Sequence, residues 1–172
     1  VKRVIVESPF APQTPPSDSV CTNARNGSCG NVAGGGGYDS YNPCPKCKNE
    51  IQRNKELHRN RRYLAAALRD CVLRGESPYA SHGLLTLPGV LRDDVPEERA
   101  RGIKAGFVWR EAAHATVIYT DLGWSSGMRA GEEDAKRVRA VSIEVHCSAE
   151  PAYHDLVHRI EYRTLGPDWD RK

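Results

Sequence analysis

The stretch from Val117 to Ala135 constrains the fold more than any other part of the chain. It opens within a short apolar run, Ala115 to Thr120, rich in β-branched and aromatic residues. Such a run predicts a strand covered on both faces, as in a parallel sheet. Asp121 stands where that strand ends, and Ser125, Ser126 and Gly127 open a helix that carries Met128. Serine suits a capping position, and glycine lets a backbone or ligand come close. A helix start presents unpaired N–H groups and a partial positive charge, where an anion or polar ring can dock. In an open α/β sheet, ligands sit just past the carboxyl ends of the strands. The same residues also suit an ordinary strand-to-helix turn in which they do nothing but cap.

The remaining composition narrows the classes. A chain of 172 residues suits one domain with a full core. With 39% hydrophobic and 27% charged residues it is globular, not disordered throughout. A net charge of +3 permits an anionic small ligand, but no basic stripe interleaved with aromatics marks a nucleic-acid binder. Arg59, Arg61 and Arg62 read as a solvated helix face. No run approaches the ~18 apolar residues of a membrane helix. The first residues, Val1 to Glu7, read as a strand and not as a signal peptide. A cytoplasmic location is expected, so the six cysteines read as thiols or metal ligands before disulfides.

Val1 to Glu7 is valine-rich and alternating, which predicts the first strand, ended by Ser8, Pro9 and Phe10. Glu7 and Ser8 thereby fall at the ligand side of the sheet, unless Glu7 makes only a local hydrogen bond. Residues 11–52 differ from the rest, with prolines, a glycine run and little periodic apolar pattern. They read as a cysteine-rich insertion after the first strand. Cys44 and Cys47 form a CxxC knuckle, and with Cys21 and Cys29 they could hold a structural zinc by four thiolates. Free thiols or disulfides are the competing reading.

From Asn54 to Gly75 the apolar spacing predicts a helix, with Leu57, Leu64, Leu68, Cys71 and Val72 on one face. Asn54 would start it, either capping or touching a ligand. Pro78 to His82 reads as a second strand, placing Ser81 and His82 at its end, although a lone histidine is commonly a satisfied core residue. Asp93 and Asp94 precede a helix running from Val95 to about Ala113, with Asp94 near the cap and Ile103, Phe107 and Val108 buried. Val141 to Val145 reads as a fourth strand and Ile160 to Arg163 as the last. Between them, His154 and His158 share a helix face near Cys147, a spacing that can bind metal but lacks an acidic partner. Trp169 in the tail is expected to pack back on the body. The alternation predicts an α/β protein with a doubly wound parallel sheet of about five strands.

Several segments together resemble the nucleoside 2-deoxyribosyltransferase-like superfamily, in a branch found in bacteriophages and prophages. They are Val4 to Phe10, Asn54 through Tyr63 to Cys71, Pro78 to His82, Pro88 to Asp94, Pro96 to Ile103, Tyr119 to Asp121, Ser126 to Met128, and Glu161 to Arg163. The resemblance spans most of the chain apart from the cysteine-rich insertion and the segment from His146 to His158. It implies a Rossmann-like sheet and a nucleoside or nucleotide pocket at the strand ends. It further implies a single nucleoside 2-deoxyribosyltransferase-like domain over residues 1–172, with a homo-oligomer that completes pockets between subunits.

In the characterised transferases, a glutamate in the first turns of the helix after the third strand attacks the anomeric carbon. Aligned from Gly127, that position is Gly131 in this chain, and Glu132 is the next residue. One step along a helix turns a side chain by about 100°, so Glu132 need not face the same pocket. The resemblance therefore implies cleavage or exchange of an N-glycosidic bond, with Glu132 or Glu7 as the acid. Asp121 would orient the base or ribose, and His82 or Asp93 would assist proton transfer. Glu7, Ser8, Pro9, Phe10, Asn54, Ser81, Ser125, Ser126, Gly127 and Met128 would line the ligand. Two other readings stay open: a non-catalytic nucleotide-binding phage accessory protein, and an interaction module working through the zinc loop.

Overall fold

The computed structural model describes residues 1–15, 44–142 and 159–171. The described elements run β1 (Lys2–Glu7), α1 (Pro45–Leu73), β2 (Glu76–Tyr79), α2 (Ser81–Leu85), α3 (Pro96–Arg110), β3 (Ala115–Tyr119), α4 (Ser126–Ser142) and β4 (Arg159–Arg163). The protein is α/β, with a four-stranded sheet in the order β2-β1-β3-β4. Every pairing is parallel, with Ile5 opposite Tyr79 and Thr116, and Thr116 opposite Ile160.

The chain divides into two compact units, one of Val1–Phe10 with Arg61–Lys172 and one of Ala11–Asn60. In the smaller unit, Glu56 accepts hydrogen bonds from the Thr14 backbone N–H at 3.0 Å and the Thr14 hydroxyl at 2.7 Å. Those bonds hold its carboxyl well down, at about 2. The larger unit contains the whole sheet.

Alternation along the strands sorts the layers. Val4 and Val6 of β1 join Ala115, Val117 and Tyr119 of β3 in one core cluster with Tyr63, Leu64, Ala67 and Cys71 of α1. Trp169 packs against this cluster, its ring edge-on to Tyr63 at 4.9 Å, as expected of the tail. The opposite face carries Ile5, Glu7, Thr116 and Ile118, and it is there that α3 and α4 reach Glu7. Helices therefore lie on both faces, and β3 is buried along its whole length, as a central parallel strand must be.

Several boundaries differ from expectation, each for a local reason. The first helix begins at Pro45, not Asn54: proline suits a first helical position, and no breaker follows it. Its apolar face is also narrower, since Val72 is 59% exposed. The second strand is Glu76–Tyr79, and Ser81 and His82 instead open α2. Pro78 is tolerated because β2 lies at the sheet edge, where a missing N–H costs little. The third helix ends at Arg110 and buries Gly106 and Arg110, whereas Val108 is 66% exposed. Its N-cap is Val95, without a side-chain cap, and Asp94 pairs with Arg92 at 2.9 Å instead.

The expected strand at 141–145 begins inside α4, which runs through Ser142, and β3 pairs directly with β4. Residues 143–145 lie outside the described residues, as do Cys147, His154, His158, Cys21 and Cys29. Four strands are thus seen among the described residues, not five. Among them, no helix is long and apolar enough to cross a membrane.

Candidate functional site

The strand order points to a candidate site. From β1 the chain passes to β2 on one side and then to β3 on the other, so the order reverses between β1 and β3. Crevices form beyond the carboxyl ends of strands at such a reversal. Glu7 and Ser8 end β1 there, Thr120 and Asp121 end β3, and α4 starts just beyond.

Glu7 points into the α3–α4 layer, its side chain 12% exposed. Arg110, 2% exposed, donates to Glu7 Oε1 at 2.6 Å. Burial raises the Glu7 carboxyl to about 6 against the pull of Arg110, and the nearby Asp134 carboxylate adds to the rise. The carboxylate lies flat against α4 at Gly131. A Cβ there would fall 2.4 Å from Glu7 Oε1 and 2.7 Å from its Cδ. Only glycine leaves that room.

Ser8 and Pro9 are buried, and the Ser8 hydroxyl lies 3.1 Å from His82 Nε2. The Phe10 ring meets the imidazole edge-on at 5.5 Å. Burial lowers the His82 imidazole to about 4, so it is neutral near pH 7. A neutral imidazole beside a hydroxyl can donate or accept, depending on tautomer. Ser81 is packed against α3, where a Cβ on Gly106 would fall 2.5 Å from its hydroxyl.

At the end of β3, Asp121 is engaged in the fold. Its Oδ2 accepts from the Tyr63 hydroxyl at 2.7 Å and from the Leu165 N–H at 2.9 Å. The Tyr63 oxygen in turn accepts the Asp121 N–H at 2.9 Å. Burial, and then the bond to Asp121, keep the Tyr63 phenol protonated far into the alkaline range. Ser125 caps α4, accepting the Met128 N–H at 3.2 Å, and Met128 is buried. Ser126 is exposed in the first turn. Arg99 comes from α3 to within 3.9 Å of where a Gly127 Cβ would stand, and it is held by Asp93 at 2.6 Å.

Glu132 faces elsewhere. It pairs with Lys136 at 2.8 Å and accepts a hydrogen bond from the Tyr162 hydroxyl of β4. These bonds hold its carboxyl below the usual range. Asn54 is exposed within α1, in the smaller unit, away from any helix start. Cys44 precedes α1 and Cys47 lies in its first turn, both half-buried. Among the described residues, no group of three or more His, Cys, Asp or Glu side chains is set to hold a metal.

A further polar cluster ties α1 to the strands. Arg163 of β4 forks onto Glu76 at 2.7 and 2.6 Å, and the Tyr119 hydroxyl donates to Asp70 at 2.8 Å beside Cys71. Burial pushes the Cys71 thiol up to about 11, so it is no nucleophile at neutral pH.

Arg110, Asp134 and Arg99 escaped the sequence reading. Arginine inside a helix reads as a solvated residue, and only the packing of α3 on α4 buries Arg110. The one local signal was the small residue Gly106, four positions earlier on the same helix face.

No curated protein and no solved structure matches the chain. A family model described as Domain of unknown function (DUF7768) matches residues 50–145, from within α1 to the segment just after α4. That match takes in the second and third strands, the helix carrying Arg110 and the glycine beneath Glu7. Because it spans more than half of the sequence, the chain belongs to the DUF7768 family of domains of unknown function.

Proposed function

We propose that this Rossmann-like domain binds a nucleoside or nucleotide beyond the ends of β1 and β3 and cleaves or exchanges its N-glycosidic bond, with Glu7 as the reacting carboxylate. One observation carries the reading. Gly131 is the position onto which the resemblance places the attacking glutamate, and the Glu7 carboxylate lies in the space a side chain at 131 would enter. A glycine on α4 and a glutamate on β1 thus put an acidic group close to where the superfamily carries one. Glu132 is instead bonded to Lys136 and Tyr162, which favours Glu7 for this role.

Arg110 holds Oε1, so Oε2 is the oxygen that reacts. It forms a bond to the anomeric carbon as the C–N bond breaks, and the electron pair leaves with the base. The base takes a proton from solvent. Water, or a nitrogen of an incoming base, then displaces the carboxylate, releases its proton to solvent and restores Glu7. His82, neutral and bonded to Ser8, offers a hydrogen bond to the ligand. Asp93 acts through Arg99, which stands at the opening of α4.

The test is base release. Purified protein is incubated with deoxynucleosides and their 5′-monophosphates, with and without a free base, and the products are separated by chromatography. Turnover is expected in the wild type and in Glu132→Gln, and is lost in Glu7→Gln. Activity surviving in Glu7→Gln refutes the assignment. A second reading, nucleotide binding without turnover, draws on the Arg110 ion pair, which blunts Glu7 as a nucleophile. It predicts thermal stabilisation by these compounds with no product, since a ligand of the native state raises its stability. For the insertion we propose a structural zinc on Cys21, Cys29, Cys44 and Cys47. Metal analysis should find about one zinc per chain, lost in Cys44→Ser.

A further inference from the structure

Arg110 is the most deeply buried charged side chain on this face of the sheet, and each of its nitrogens meets a different oxygen. One terminal nitrogen donates to Glu7 Oε1 at 2.6 Å, and the other donates to the carbonyl of Gly131. Its Nε lies 3.4 Å from Asp134 Oδ2, near enough to pair but out of line for a hydrogen bond. Those two atoms are buried without a hydrogen-bond partner among the described residues. The Phe107 ring packs under the guanidinium at 5.1 Å. The other Asp134 oxygen takes Arg137 at 2.7 Å. An apolar side chain of similar volume would hold three packed elements together as well or better than such a cation. Buried charge of this kind is a functional signature when it meets a carboxylate at a strand end.

We propose that Arg110 is a positioning residue shared between two acids, and that Asp134 sets how firmly it holds Glu7 as an anion. The role in turnover rests on the function proposed above, whereas the sharing itself does not. The charged groups facing Glu7 are Arg110 from α3 and Asp134 from α4, with Arg137 behind Asp134. Removing Arg110 leaves a buried carboxylate that resists ionisation. Removing the charge of Asp134 frees Arg110 for Glu7 and makes ionisation easier. The two neighbours therefore act with opposite sign.

The test follows Glu7 directly, by carbon NMR of carboxyl-labelled glutamate, with its signal assigned by its loss in Glu7→Gln. The wild-type midpoint is expected near pH 6. In Arg110→Met it should rise to about 7 or above, and in Asp134→Asn it should fall toward the usual carboxylate range. If Arg110→Met does not fold, Arg110→Lys and Asp134→Asn decide. Lysine keeps the charge with a shorter reach and should give a smaller rise. In turnover at pH 7, Arg110→Met should lose about twofold if the midpoint reaches about 7 and about tenfold if it reaches about 8, and recover at alkaline pH, which a merely misfolded variant would not do. An unmoved midpoint in either charge-removing variant, or an upward one in Asp134→Asn, overturns the proposal. Midpoints that move as stated, in a protein that turns nothing over, leave the sharing intact and refute the catalytic reading.

Discussion

Gly131→Ala is the perturbation that bears hardest on the site. Alanine is the better helix former by about 1 kcal/mol, so an unencumbered position in α4 would gain stability. Here the new methyl would stand 2.4 Å from Glu7 Oε1 and 2.7 Å from Cδ, both closer than real contacts allow, and a tight 3.2 Å from Oε2. Glu7 must move, which pulls on its 2.6 Å bond to the buried Arg110. Breaking a buried ion pair costs about 3–5 kcal/mol. Set against the helix gain, a full break leaves a net loss of up to about 2–4 kcal/mol. Urea denaturation of wild type, Gly131→Ala, Glu7→Ala and the double variant forms a cycle that isolates the contact. In the Glu7→Ala background the clash is gone, and Gly131→Ala should become stabilising by about 1 kcal/mol. A substitution that is neutral or stabilising in the wild type, or that costs the same in both backgrounds, refutes the packing of Glu7 on α4.

Two further outcomes follow from buried groups. His82 falls from 6.5 to about 4 on folding, so between those values the unfolded chain binds more protons than the native one. Stability is therefore lost as pH falls from 6.5 toward 4, by about 3 kcal/mol from this group. Glu7 acts in the opposite sense: raised from 4.5 to about 6, it adds about 2 kcal/mol as pH falls through that window. Denaturation midpoints of wild type and His82→Gln, compared from pH 7 to 4, should separate the two, because only the wild type carries the acid-side loss from the imidazole. Tyr63→Phe removes the hydroxyl that donates to Asp121 and accepts its N–H. It should lower stability by about 1–3 kcal/mol in thermal or urea unfolding. A loss below a few tenths would show that Asp121 does not depend on α1.

Part of this protein could be read without its fold. The strand from Ala115, the serine cap on α4 and the strand ending at Glu7 depend on near neighbours, through apolar run length, capping chemistry and alternation. The packing of Trp169 on the core was also foreseen, because a large aromatic ring in a tail gains by burial. Where local signals failed, the residues were polar and apolar in the wrong places for a solvated helix. Val108 lies in the open while Arg110, two positions on, is buried. A period of 3.6 residues marks which positions share a face, but hydrophobicity names the buried one only when that face is apolar.

What the sequence determined was the supply of acid, hydroxyl and imidazole at strand ends. Which of them meet was decided by tertiary structure. Glu7 and Arg110 are 103 positions apart, Ser8 and His82 are 74 apart, and Tyr63 and Asp121 are 58 apart. A parallel sheet brings such residues together because each strand returns to the same edge after a helical crossover, and strand order then chooses the neighbours. No local pattern carries that order. The carboxylate one residue beyond Gly131 turned outward to Lys136 and Tyr162, while the one from β1 filled the space beside the glycine. Chain geometry, not composition, decided which of the two glutamates lies beside Gly131.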